Sequence, residues 1–374
     1  NLTGAQVESV RAWAQQVRAA ERQADRPLTC RPESHLWAYS HLADLLVIGR
    51  CPLGTSFELS DYLTWVRERP RLVRPGTPLW SAIQTQPARS LLGQWAALGR
   101  GEPVPTTMAT EQIRLLVYLA VTAGSRGLLF QSDSPLHADD PDTRNRAMTL
   151  ELLNLELSLM EPWAAAGHFV AMVNGSDPET VAAVLRTERA RLLVPVWSAH
   201  GAQLVPGQAA RHSVSFVVPG VPESNNAYEI TPGGLRPLVH KRVTGGTRIT
   251  LDEFGLTALV LLTQDPLVLG GMTRRAQQIG PRAAELQRHL AADKLRLVEH
   301  IHARLSPRSP MPQASEWIAM AKKHLQTCEG LLAARDYAGA YVSGHRAMRP
   351  LRLLERMHWQ AATSRLHSAV ASPA

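Results

Sequence analysis

Pro78-Leu-Trp-Ser-Ala-Ile-Gln-Thr-Gln86 and Ala123-Gly-Ser-Arg-Gly-Leu-Leu-Phe-Gln-Ser-Asp133 are the two stretches whose reading decides the fold. Each carries a short apolar run that ends in polar residues, as expected of a strand covered on both faces. Between them, Thr110 to Val121 sets Ile113, Leu116, Val117, Ala120 and Val121 at helical spacing. Gly124 ends that helix and Gly127 opens the next strand. Strand, helix, strand is a βαβ unit, and right-handed crossovers make its strands parallel. Folds of this kind keep their functional groups at the C-terminal ends of the strands.

The same rhythm extends on both sides. Gly4 to Ala24 reads as a helix with Val7, Val10, Trp13, Ala14 and Val17 apolar and Thr3 as its N-cap. Pro27 to Cys30 reads as a short strand, Glu33 to Leu42 as a helix, and Leu45 to Gly49 as a buried strand. Ser60 is expected to cap a helix from Asp61 to Glu68. The Gly- and Pro-rich stretch 88–107 reads as irregular. A long helix from about Thr143 to Trp163 turns Leu150, Leu153, Leu157 and Met160 inward. Residues 1–165 thus carry four βα units, which is half of an eight-stranded (TIM-type) barrel. A small doubly wound sheet would show a similar order. No Gly-rich phosphate loop follows any strand, so a nucleotide site has little support.

From Gly167 the texture changes to alternating, turn-punctuated segments. Phe169–Val173, Arg191–Trp197, His212–Val218, Ala227–Ile230, Thr247–Leu251 and Leu256–Leu262 read as strands. Residues 166–265 are therefore expected to form an antiparallel β-sandwich. Asn174-Gly-Ser176 fits a glycosylation sequon, but reads first as a turn. Residues 266–374 read as a basic helical hairpin or bundle. It comprises a helix from Val268 to Leu305 with a break near Gly280-Pro281, then Ala314–Arg335 and Tyr337–Leu366. The fold class is thus multidomain: α/β, then β, then α.

Composition narrows the partners. The net charge of +8 is uneven: residues 266–374 hold sixteen of the 40 Lys/Arg and seven of the 32 Asp/Glu, so the remainder is nearly neutral. Arg346, Arg349, Arg352 and Arg356 recur at steps of three and four, which reads first as a solvated helix face. Nucleic acid is an unlikely partner, because no nucleic-acid motif accompanies the stripe. No stretch is long and apolar enough to span a membrane. The three cysteines, Cys30, Cys51 and Cys328, match no zinc or redox spacing and read as buried thiols. No compartment follows from them, and a secreted or periplasmic location is compatible with them. His300 and His302, two apart on a helix, do not face each other, and His35 and His41 are six apart. Neither a metal nor a cofactor is expected. The chain opens on Asn1 without a basic-then-apolar leader, so we expect a processed chain or a fragment.

The candidate site residues follow from the strand ends. Arg31 and Glu33 follow the first strand, Arg50 the second, Gln84 and Gln86 the third, and Gln131, Ser132 and Asp133 the fourth. Breaking a glycosidic bond normally takes two carboxyl groups, and Glu33 and Asp133 are the carboxyls on this rim. They are the candidate catalytic pair; helix capping and turn chemistry are their alternative roles. Trp80 and Trp37 read first as core, with stacking on a sugar ring as the second reading.

Gln112 to Asp133 resembles the seventh helix and eighth strand of glycoside hydrolase (β/α)8 barrels, in which a helix ending Ala-Gly-x-x-Gly precedes an apolar strand that reaches the sugar site. Pro78 to Gln86 then resembles strand seven, and Pro27 and Leu45 begin strands five and six. The β-rich region resembles the accessory sandwich of many such enzymes. The resemblance implies a carbohydrate ligand, with Gln84, Gln86, Gln131, Arg50 and Trp80 contacting it. It implies that strands one to four, and the general acid on strand four, lie in a missing N-terminal half of the barrel or in a partner chain. It also shows a departure. Strand seven of the retaining enzymes ends in a nucleophilic Glu, whereas here Gln84 and Gln86 stand, and an amide cannot take that role. Two readings follow: the C-terminal part of a glycoside-hydrolase-like protein, or a carbohydrate-binding or scaffolding protein that has lost the nucleophile. A nucleic-acid-associated protein is the third.

Overall fold

The computed structural model describes residues 2–20, 26–98, 108–201, 211–307 and 310–364. Its first part alternates helix and strand: α1 (Val7–Ala20), β1 (Thr29–Cys30), α2 (Leu36–Tyr39), β2 (Leu45–Gly49), α3 (Leu59–Glu68), β3 (Leu79–Gln84), α4 (Arg89–Leu98), α5 (Thr110–Thr122), β4 (Gly127–Gln131) and α6 (Pro141–Ala166). The strands form one four-stranded sheet in the order β1-β2-β3-β4, with every pair parallel. That is the sheet expected of consecutive right-handed βα units.

Alternation along β3 explains how the sheet is covered. Leu79 and Ile83 join the apolar core together with Leu46 and Ile48 of β2. Trp80, Ala82 and Gln84 point to the other face, where Trp80 lies opposite Val47 and Gly127, Ala82 opposite Leu129, and Gln84 opposite Gln131. On that face Trp80 is 39% exposed and Leu129 42%. Trp80 and Trp37 therefore depart from the core reading. Trp80 lies at the start of β3, on the face away from the apolar core, where Ala82 and Gln84 further along are buried but Trp80 is not, and Trp37 lies on a single-turn helix that buries Leu36 and Tyr39 instead. Among the described residues β4 pairs with β3 alone. The outer edge of β1 is met by Leu2, whose N–H donates to the Arg31 carbonyl at 3.0 Å and whose carbonyl accepts from Glu33 N–H at 2.8 Å.

α5 is the central element. Leu115 to Ala120 are nearly inaccessible to solvent, and the helix touches α3, β3, α6 and β7 (Arg191–Trp197). Burial all round explains why its sequence is apolar on more than one stripe. Each large aliphatic side chain enclosed this way contributes about 1.5–3 kcal/mol.

The second part adds β5 (His168–Asn174), β6 (Thr180–Arg186), β8 (Arg211–Val218), β9 (Asn226–Thr231), β10 (Gly234–Pro237), β11 (His240–Val243), β12 (Gly246–Phe254) and β13 (Val260–Thr263). They form a six-stranded sheet, β10-β9-β13-β7-β6-β5, and a three-stranded sheet, β11-β12-β8, antiparallel throughout. Gly246 opens β12 at φ 153°, where a β-carbon would run into the Val218 carbonyl, so no other residue fits there. One apolar cluster runs without interruption from Leu46 and Ile83, through α5, to Leu192, Phe216 and Ile249.

The last part is α7 (Pro266–Leu305), α8 (Ala314–Ala333) and α9 (Tyr337–Thr363). Asp265 caps α7 by accepting Leu267 N–H at 2.8 Å, and Asp336 caps α9 by accepting Gly339 N–H at 2.9 Å. α6 belongs to this helical packing too, since Leu152 shares a cluster with Ala284, Leu290, Cys328 and Tyr341.

Several elements differ from the sequence expectation. The helix expected from Glu33 is cut to Leu36–Tyr39, because His35 takes a left-handed φ of 56° and blocks its start. Helix α3 begins at Leu59 with Glu58 at the cap position, so Ser60 lies inside it. Part of the stretch read as irregular is α4, whose end is followed by residues 99–107 outside the described set. Strands β6, β10 and β11 escaped notice. β6 (Thr-Val-Ala-Ala-Val-Leu-Arg) is buried on both faces and shows no alternation. α7 continues through Pro281 without a break. The expected ends of the first helix (Ala24) and the last (Leu366) lie outside the described residues. The arginine stripe is solvated only in part: Arg346 is exposed and pairs with Glu253 of β12 at 3.2 Å, Arg352 is buried, and Arg356 stacks over Trp359 at 4.7 Å.

Candidate functional site

The parallel sheet brings the ends of β1–β4 to one rim. Gln84 is buried, and both ends of its amide are engaged by main chain. Its Oε1 accepts Leu53 N–H at 3.1 Å, and its Nε2 donates to the Gln86 carbonyl at 2.9 Å. Gln86 acts as a clamp between neighbouring strand ends. Its Oε1 accepts Asp133 N–H at 2.8 Å and Ser134 N–H at 3.1 Å, while its Nε2 donates to Ser134 Oγ at 2.9 Å. Thr85 ties the same two loops together, donating to the Gln131 carbonyl at 2.6 Å and lying 2.7 Å from Ser132 Oγ. Arg146 from α6 donates to Ser134 Oγ at 2.8 Å. Short side chains and amides after a strand can satisfy exposed loop donors in this way.

What remains open to solvent is narrower than the sequence suggested. The Asp133 side chain is 43% exposed and meets Arg89 Nε at 3.3 Å, with the Arg89 side chain 82% exposed. A pair so exposed contributes about 0–1 kcal/mol to the fold, so a ligand can compete for it at small cost. Arg31 lies over Gly49: a β-carbon at Gly49 would stand 3.1 Å from Arg31 Nη2. Burial raises the Cys51 thiol above its ordinary pKa; Arg31 pulls it down and Asp133 pushes it up. Gln131 is half-buried and stands opposite Gln84 in register.

Three candidates remain. Arg50 packs over Phe57 and Trp65, 5.4 Å from each ring. Trp80 sits at the start of β3, the end of the strand away from the rim, with its indole against Gly127. Glu33 is exposed beyond β1, the strand farthest from Asp133. Three inter-strand steps separate them, about 14 Å along the sheet, where the carboxyl pairs of glycoside cleavage stand about 5–10 Å apart. Arg89 and Cys51 are the rim residues that sequence reading missed. Both lie just past a strand end, so the strand-end rule could have found them; Arg89 was lost because its segment was read as irregular. Among the described residues no group of three or more His, Cys, Asp or Glu side chains could hold a metal, and no helix is long and apolar enough to cross a membrane.

No protein-family model and no curated protein matches the sequence. Among solved structures similar to the chain are glycoside hydrolases. A noncanonic maltogenic alpha-amylase from Thermotoga neapolitana is 10% identical with a TM-score of 0.42, covering 69% of this chain and 58% of that one. An alpha-amylase from Anoxybacillus is 12% identical with a TM-score of 0.40, covering 69% and 56%. A GH30 endoxylanase from Clostridium papyrosolvens is 10% identical with a TM-score of 0.38, covering 69% and 60%. The chain thus spans a little over half the length of these three structures. At such identities and scores these are likenesses of chain trace alone.

Proposed function

We propose that this chain is a carbohydrate-binding half of a glycosidase-like barrel, carrying a β-sandwich and a helical tail, and that its own residues do not cleave the glycosidic bond. One observation carries the reading. The glutamines at the end of β3 are engaged by main chain, and the exposed polar pair left on the rim is Asp133 with Arg89. A carboxylate beside a guanidinium offers acceptors and donors in one plane, which suits adjacent sugar hydroxyls. Arg31 and Gln131 extend that surface along the rim, and Glu33 lies at its far end. The half-barrel reading is supported by Trp80 and Leu129, which stay part-exposed on the second face of the sheet, and by the outer edge of β4, unpaired among the described residues. Parallel sheets are ordinarily covered on both faces.

A catalytic reading needs a second carboxyl near Asp133 from another part of the protein or another chain. The open side of β4 is where such a part would join.

The test is titration calorimetry of the chain against neutral oligosaccharides (malto-, xylo- and cello-series), with chromogenic glycosides assayed in parallel. We expect saturable binding of one series, weakened at least tenfold in Asp133→Asn and Arg89→Ala, with no release of chromophore. Binding by neither wild type nor variants would overturn the reading. Chromophore release abolished in Asp133→Asn would favour the catalytic one.

A further inference from the structure

Two histidines 56 residues apart meet between the terminal helices, away from the rim. His302 lies in the last turn of α7 and His358 in the second half of α9. Their nearest nitrogens, His302 Nδ1 and His358 Nε2, are 3.1 Å apart, and the ring centroids are 5.3 Å apart. This is hydrogen-bond distance, so one nitrogen carries the proton and the other a lone pair.

Burial decides which is which. His358 is 3% exposed, and its other nitrogen, Nδ1, has no hydrogen-bond partner among the described residues. A proton there would be a buried donor without an acceptor. The stable tautomer therefore keeps the His358 proton on Nε2 and donates it to His302 Nδ1. His302 is half-buried and carries its own proton on Nε2.

The arrangement tolerates no further proton. Adding one to His302 Nδ1 turns the lone pair that accepts the bond into a second N–H, and the two donors then face each other at 3.1 Å. Adding one to His358 places it on the orphaned Nδ1. A metal ion fits no better, since a His358 coordinating through Nε2 would also have to protonate that nitrogen, and metal-bound imidazoles normally donate their second N–H to a partner. Charged groups on the packed helices supply no counter-charge. Glu299 of α7 pairs with Lys322 of α8 at 2.8 Å, and Glu355 of α9 pairs with Lys294 of α7 at 2.6 Å. Arg356 stacks on Trp359. Arg304 of α7 and Glu316 of α8 are exposed.

We propose that His302 and His358 form a proton-sensitive latch, which holds the second half of α9 on the end of α7 at neutral pH and loosens it on acidification. Burial, with His302 beside it, lowers the His358 pKa from the ordinary imidazole value, the direction the geometry requires. Apolar neighbours on the same helices, Val298, Leu351 and Leu354, keep the helices in contact when the latch opens, so the expected response is local.

Amide hydrogen exchange of residues 354–363, expressed as protection factors between pH 7.5 and 5.5, tests this. We expect wild-type protection to fall about tenfold, the change that one pH unit brings per linked proton. In the His302→Gln, His358→Gln double variant, which keeps neither imidazole, protection should change less than twofold over the same range. His300→Gln, on the exposed side of α7, should respond as wild type does. A flat wild-type profile, or a double-variant profile that falls as steeply as wild type, would overturn the latch.

Discussion

Gln86 ties the β4 loop to the end of β3 through its side chain. It accepts from two consecutive amides of the β4 loop and donates to Ser134 Oγ. Gln86→Ala leaves the Asp133 and Ser134 N–H groups without that acceptor. At about 1 kcal/mol net per hydrogen bond, we expect a loss of about 2–3 kcal/mol in urea unfolding. Because the same bonds position Asp133, the variant should also weaken any sugar binding. Position after a strand marked Gln84, Gln86 and Asp133 as rim residues from sequence alone. Their roles were not legible there: whether an amide faces a ligand or a neighbouring main chain depends on the loop from the next strand. For Gln86 that loop comes from 47 residues further along the chain.

At the scale of elements, the joint that matters most is buried and charged. Glu156 of α6 accepts both ends of the Arg114 guanidinium of α5 at 2.6 Å, and the hydroxyls of Tyr118 at 3.2 Å and Tyr341 at 2.9 Å. Burial works against the Arg114 cation, and Glu156 overrides it, holding the group firmly charged. Three helices, α5, α6 and α9, therefore meet on one carboxylate. Glu156→Gln leaves a buried guanidinium without its counter-charge, a change that costs about 3–5 kcal/mol. We expect that loss in equilibrium unfolding, with Tyr341→Phe milder, at about 1–2 kcal/mol. The helices themselves were legible from apolar spacing. Glu156 was not, because a single acidic residue on a long amphipathic helix looks like any solvated position.

At the scale of the whole molecule, three histidines among the described residues are held below the usual imidazole range. Burial, with Arg352 next in effect, pushes His345 down to about 3. Burial also lowers His324, with Arg346 adding to it, and lowers His358 beside His302. All three bind fewer protons folded than unfolded. Acid below about pH 6.5 therefore draws the chain toward the unfolded state. Stability is present above that pH and is lost below it, before the carboxylates titrate. We expect the melting temperature to fall between pH 7 and 5 and the fall to be smaller in a His345→Gln variant. An unchanged melting temperature over that interval would contradict this assignment.

Sequence alone determined the order of elements: four parallel strands with their helices, a β-rich middle, and three terminal helices. Those features rest on local periodicity and turn chemistry, which neighbouring residues decide among themselves. Tertiary structure decided what joins to what. It joined the parallel sheet to the antiparallel sheets in one apolar cluster across α5. It buried Arg352 of α9, brought His302 onto His358, and set Glu33 and Asp133 on the outermost strands. Each of these contacts links residues that are distant along the chain. Their energies depend on burial, and burial is not a property of any residue's neighbours in sequence.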